Sequence, residues 1–151
     1  MWYKHLHDLE PEEWAEYGSV IAAELPGIVQ EARKKGWPTE ALSGVMEYFD
    51  KTVRDEYGLR AVIINGEYLF IYAVGYSWWH TKPYMVEEFL LALQPKGNLR
   101  ACLDMVEVIA KEEGCSAVCI GTAAAPNNDA YARLLNRYGY KTLAYQLIKE
   151  I

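Results

Sequence analysis

The stretch YMVEEFLLAL, residues 84–93, constrains the fold more than any other part of the chain. Its second half is apolar on both faces, which suits a strand covered on both sides, in the middle of a sheet with helices above and below. It runs through Pro95 and Gly97 into a segment from Asn98 to Glu113 whose apolar residues Leu99, Cys102, Leu103, Val106, Ile109 and Ala110 recur at helical spacing, with Gly114 to end it. A strand, a tight glycine-containing turn and a helix in that order leave the helix's first backbone N–H groups unpaired just beyond the strand end. An anion is well received there.

The other elements fall into place around that strand. A short strand near Trp2–Leu6 precedes an amphipathic helix with Asp8 as N-cap and Trp14, Tyr17, Ile21 and Leu25 on one face; Pro26-Gly27 is expected to break it. KKGWPTE reads as a loop before a second helix, Glu40 to Tyr57, stopped by Gly58. LRAVIING and EYLFIYAVGYSWW are β-branched and aromatic runs joined through Asn65-Gly66, a hairpin dipeptide. HTKP, 80–83, reads as the turn into the central strand. SAVCIGTAA predicts another strand, NNDAYARLLNRYGY a helix and KTLAYQLIKEI a closing strand. The predicted order is β-α-α-β-β-β-α-β-α-β in one α/β (α+β) domain covering residues 1–151.

With 151 residues, 52% apolar and 24% charged, the chain can bury a core without metal or disulfide support. A net charge of -6 and a pI near 5.1 disfavour nucleic acid as a partner. No apolar run approaches the roughly 20 residues of a membrane span, and the start MWYKHLHDLEPEEW lacks the apolar core of a signal peptide. A soluble, cytoplasmic protein without a membrane role is the expectation. Cys102, Cys115 and Cys119 lie in apolar stretches and are expected to be buried, reduced thiols; the last two have the wrong spacing for a C-x-x-C motif. His5 and His7 alternate on a strand face without a third ligand nearby in sequence, so no metal is expected.

Two stretches carry a family resemblance. In the first, Asn128, Leu134, Gly139 and Tyr140 fall on the N, L, G and F positions of the pattern N-x-x-A-x-x-L-Y-x-x-x-G-F. In the second, Gln94, Gly97 and Leu99 can be laid on Q/R-x-x-G-x-G/A, or LALQP on a strand end L-x-V-x-P, with PKGNL then a shortened loop. With the topology, these residues resemble the GNAT superfamily of acetyl-CoA-dependent N-acyltransferases over nearly the whole chain. The resemblance implies a mixed central sheet splayed between its fourth and fifth strands, where the pantetheine arm of acetyl-CoA lies and an amine attacks the thioester. It departs from the family at Leu99, where a small residue belongs, and at Leu135, where many members carry the tyrosine that protonates the departing thiolate.

The resemblance implies cofactor contacts from Leu91, Ala92, Leu93, Gln94, Lys96, Gly97, Asn98, Leu99, Arg100 and Asn128. Lys96 and Arg100 add positive charge suited to a diphosphate. Only a neutral amine attacks, so a base is needed, and Glu87 and Glu88 on the central strand are the candidates, one facing each way. Paired glutamates at a strand's start are also commonly solvated. Tyr131 is the candidate acid, one turn before Leu135 on the same helix face; packing into the core is its structural alternative. Trp78, Trp79, His80 and Tyr84 are candidate walls of an acceptor pocket, or caps of the sheet end.

The function so implied is transfer of an acetyl group from acetyl-CoA to a primary amine of a small molecule or protein. Two alternatives stand beside it: a GNAT-fold protein without catalysis that serves as a structural or interaction module, as occurs among bacteriophage proteins, and a sensor that binds a CoA ester without turnover. The short tail after Tyr140 leaves little room for a last hairpin, so the acceptor side is expected to be open, or completed by a second subunit in a homodimer.

Overall fold

The computed structural model describes residues 1–39, 41–122 and 125–151. Its elements are β1 (Tyr3–His5), α1 (Pro11–Lys34), α2 (Leu42–Val53), β2 (Leu59–Ile64), β3 (Tyr68–Ser77), β4 (His80–Ala92), α3 (Leu99–Glu112), β5 (Ala117–Cys119) and α4 (Asn128–Arg137), with a 3-10 turn at Leu6–Asp8. The five strands form one sheet in the order β1-β2-β3-β4-β5, antiparallel except for β4 with β5. This is the mixed α+β architecture that the sequence predicts. On one face Leu6, Ile21 and Leu25 pack with Ile63, Leu69 and Ile71, flanked by Met46, Phe49 and Phe89. On the other, Cys102, Met105, Val106 and Ile109 of α3 pack on Val62, Ile64, Phe70, Tyr72 and Met85. The central strand is covered on both sides, as its apolar run requires.

Several boundaries differ from expectation. α1 is capped at Glu10, not Asp8: Pro11 fits the first helical position, and the Glu13 carboxylate accepts the Glu10 N–H at 2.8 Å in a reciprocal capping box. α1 also runs straight through Pro26. Pro26 is exposed, while Leu25 and Ile28 on either side of it pack on the sheet, and that packing outweighs the lost backbone bond. The expected start of α2 at Glu40 lies outside the described residues, and α2 ends at Val53 rather than Tyr57, followed by a turn with Asp55 and Gly58 at positive φ. HTKP is not a turn. The turn is Trp78-Trp79, and β4 begins at His80, with Pro83 inside an irregularity of the β3–β4 register where its missing N–H costs little.

The closing strand is absent. Residues 141–151 carry no regular structure, and Leu143, Tyr145 and Leu147 are 87%, 91% and 93% exposed. Alternating side chains make a strand only where a neighbour supplies backbone partners, and among the described residues no strand pairs with 141–151. Of the thiols, only Cys102 is buried; Cys115 is half-buried and Cys119 is exposed on the short edge strand β5.

Candidate active site

Three parallel pairs join β4 to β5: Tyr84 with Ala117, Met85 with Val118 and Val86 with Cys119. Pairing stops there. β4 continues to Ala92, and among the described residues no strand pairs with 87–92 on that side, so the β4–β5 ladder ends in a fork at Glu87. A bulge sits at the same place. Glu87 opposes Tyr72 and Phe89 opposes Ile71, which leaves Glu88 as the extra residue. It reverses the alternation: Met85 faces α3 before it, whereas after it Phe89 and Leu91 face α1 and α2, and Leu90 faces α3. Two adjacent glutamates at this position are thus the mark of a bulge, not of a regular strand.

Glu87 is half-buried, and its Oε2 accepts the N–H of Gly121 at 3.0 Å, just past β5. Loss of water around the carboxyl pushes its pKa up to about 7, against the lowering effect of the Gly121 N–H and the Leu90 backbone and with some help from Glu88. Glu88 is exposed, and desolvation raises its pKa as well. Tyr131, on α4, is half-buried, and its phenol is pushed up first by burial, then by the charge of Glu87 and by Cys102, Tyr140 and Tyr68. Glu87 and Tyr131 thus lie near enough for the charge of one to raise the phenol of the other. Leu135, one turn on, is buried in the core.

Other predicted residues are already committed to protein partners. Leu93 N–H donates to the Glu67 carbonyl at 2.7 Å. Asn98 caps α3 by accepting the Ala101 N–H at 3.1 Å, and its own N–H donates to Glu67 Oε2 at 2.9 Å. A Cβ on Gly97 would lie 2.8 Å from the ring of Tyr68, so glycine is required there by an aromatic neighbour, whatever else approaches. Asn128 Oδ1 accepts from Lys35 Nζ, which also donates to the carbonyls of Thr122 and Ala125. Gln94, Lys96 and Arg100 are exposed, Ala92 is exposed at the strand end, and Leu91 and Leu99 are half-buried.

The aromatic candidates lie at the other end of β4. Trp78 and Trp79 are 99% and 87% exposed at the hairpin tip, nine and eight residues before Glu87 and so roughly 25 Å from it along a strand. His80 Nδ1 accepts the Lys82 N–H at 3.0 Å and its ring lies 5.9 Å from that of Tyr84. The tip is not brought to the fork. His5 and His7 stack at 5.1 Å and, with Asp55 and Arg60, line a cavity of about 340 Å³ that no residue of β4 or β5 reaches. Among the described residues no group of three His, Cys, Asp or Glu is arranged to hold a metal, and no helix is long and apolar enough to cross a membrane.

Glu67, Tyr68, Lys35 and Gly121 were not singled out by sequence. Only Gly121 carried a signal, a glycine directly after an apolar strand, where a backbone N–H is open to a side chain.

A five-stranded mixed sheet with β4 parallel to β5 is also found in solved acetyltransferase structures of the GNAT fold. A GNAT family acetyltransferase from Staphylococcus aureus superposes with a TM-score of 0.57 at 13% identity, covering 99% of this chain and 98% of that one. An aminoglycoside 6'-N-acetyltransferase from Acinetobacter haemolyticus gives 0.55 at 16%, covering 100% and 99%. AAC(6')-Iy, solved with the bisubstrate analogue CoA-S-monomethyl-acetylneamine, gives 0.55 at 13%, covering 85% and 92%. No protein-family model and no curated protein matches the sequence. The chain has the GNAT fold.

Proposed function

We propose that this protein is an N-acetyltransferase that moves an acetyl group from acetyl-CoA to a primary amine of a small molecule or a protein. The observation that carries the reading is Glu87: a carboxyl held near neutrality, at the residue where β4 and β5 part. A general base works best when its pKa is close to the working pH, and burial has put Glu87 there. Acetyl-CoA would supply the activated acetyl group. The β4 edge at 87–92, which no strand of the described residues pairs with, suits the amides of its pantetheine arm, because an extended backbone adds to an open strand edge by main-chain hydrogen bonds.

The proton work falls to two side chains. Glu87 accepts a proton from the acceptor ammonium, directly or through one water, while the Gly121 N–H keeps the carboxylate oriented. Tyr131 Oη is held protonated by burial and by the charge of Glu87, as a proton donor on the other side of the reacting centre must be. The fold resemblance to aminoglycoside acetyltransferases supports an amine acceptor as a class.

One observation favours a second reading, a GNAT-fold protein without catalysis: Leu135 is buried where the family often carries its acid. Titration calorimetry with acetyl-CoA, followed by thiol release over an amine panel, separates the two. Binding with turnover supports the enzyme, binding alone a sensor, and no binding a structural module.

A further inference from the structure

Glu67 ties both ends of the connection between β4 and α3. Its carbonyl accepts the Leu93 N–H at 2.7 Å and its carboxylate the Asn98 N–H at 2.9 Å. The Ala101 N–H is taken by Asn98 itself, and the ring of Tyr68 covers Gly97 too closely for any side chain. The turn is thus fitted to protein groups, with a carboxylate standing where a strand–turn–helix junction favours an anion. The charge of Glu67 reaches the first turn of α3, where it adds to burial in raising the Cys102 thiol.

We propose that Glu67 is a specificity-determining residue: its carboxylate is the resident anion at the head of α3, so a diphosphate is held weakly there and the acyl donor is recognised through its pantetheine arm, not its nucleotide end. The donor part of this inference rests on the acetyltransferase reading; the resident anion does not. A diphosphate beside Glu67 meets like charge at short range. Lys96 and Arg100, both exposed, offset this only in part because solvent and salt screen them. The β4 edge beyond Val86 has no such conflict, since its backbone groups are neutral and, among the described residues, no strand pairs with them on that side.

The test titrates inorganic pyrophosphate, acetyl-CoA and S-acetylpantetheine into the wild-type chain and Glu67→Gln at low salt, by calorimetry. Gln keeps an oxygen to accept the Asn98 N–H and removes only the charge; Glu67→Ala serves if that variant does not melt cooperatively. Pyrophosphate and acetyl-CoA should bind about fivefold or more tighter to the variant, with the gain fading as salt rises, while S-acetylpantetheine is unchanged. Wild type should bind the two thioesters within about threefold of each other. Equal pyrophosphate affinity in both proteins overturns the resident anion. A gain for pyrophosphate with neither thioester bound upholds the resident anion and removes both the acetyltransferase reading and the donor preference that rests on it.

Discussion

Glu87 Oε2 accepts the Gly121 N–H at 3.0 Å, one residue beyond the last backbone pair between the two strands, Val86 with Cys119. A side chain thus takes over the bridging of β4 and the chain after β5 at the point where the ladder ends. The same contact orients the Glu87 carboxylate at the fork.

The rate of acetyl transfer should therefore rise with pH through an apparent pKa near 7 and level off above it, as Glu87 ionises. Glu87→Gln should lower kcat by about 10²-fold or more and abolish that limb of the profile. A variant with an unchanged profile would assign the titration to another group.

The same shift has a stability consequence. Below pH 4.5 the carboxyl is protonated in both folded and unfolded chains, and its contribution is fully present. As pH rises towards about 7 the unfolded chain ionises first, and the contribution is lost through the folded pKa. The unfolding free energy of Glu87→Gln relative to wild type, measured by urea titration, should rise between pH 4.5 and 8, by on the order of 2 kcal/mol after allowing for water at the half-buried carboxyl. A constant difference would mean that the carboxyl is not desolvated.

Much of the fold around this candidate site was legible in the sequence, for physical reasons. The EEFLLAL run fixes a doubly covered strand, and its passage through Gly97 into a helical stripe fixes the β4–α3 junction. The bulge at Glu88 was not legible, because alternation on paper cannot show where a ladder slips. Partners of Leu93, Asn98 and Asn128 come from residues 26 to 93 positions away, and no local pattern names them. The tail shows the converse: Leu143, Tyr145 and Leu147 alternate as a strand should, yet alternation supplies no partner.

Gly97 illustrates how one residue fits two explanations. Gly97→Val should destabilise the fold by about 1–3 kcal/mol through overlap with the Tyr68 ring, whether or not a donor binds. Combining it with Tyr68→Ala should recover part of the loss, seen as a coupling energy in a double-mutant cycle of urea unfolding. Additive losses would show that the two residues do not press on each other.

Lys35 caps the C-terminus of α1 and donates to Thr122 O, Ala125 O and Asn128 Oδ1, and burial lowers its pKa. Lys35→Met should cost about 1–3 kcal/mol, by leaving these acceptors without their donor, and should speed amide exchange in the first turn of α4. Unaltered stability and exchange would place the ammonium in solvent.

Tyr131 gives the sharpest division between acid and core residue. Its phenol is pushed up by burial and by Glu87, so it keeps its proton throughout the range in which Glu87 loses one. A residue that only packs against Leu135 should tolerate Tyr131→Phe, because the ring remains and only the hydroxyl goes. A proton donor should not. The expected result is a kcat lower by about 10²-fold with acetyl-CoA affinity within about twofold of wild type and an unchanged urea midpoint. The Glu87 limb near pH 7 should persist in the residual activity, since that group is untouched. Full activity in Tyr131→Phe would leave the thiolate to be protonated by water, and a fall in stability matching the fall in rate would make Tyr131 a core residue.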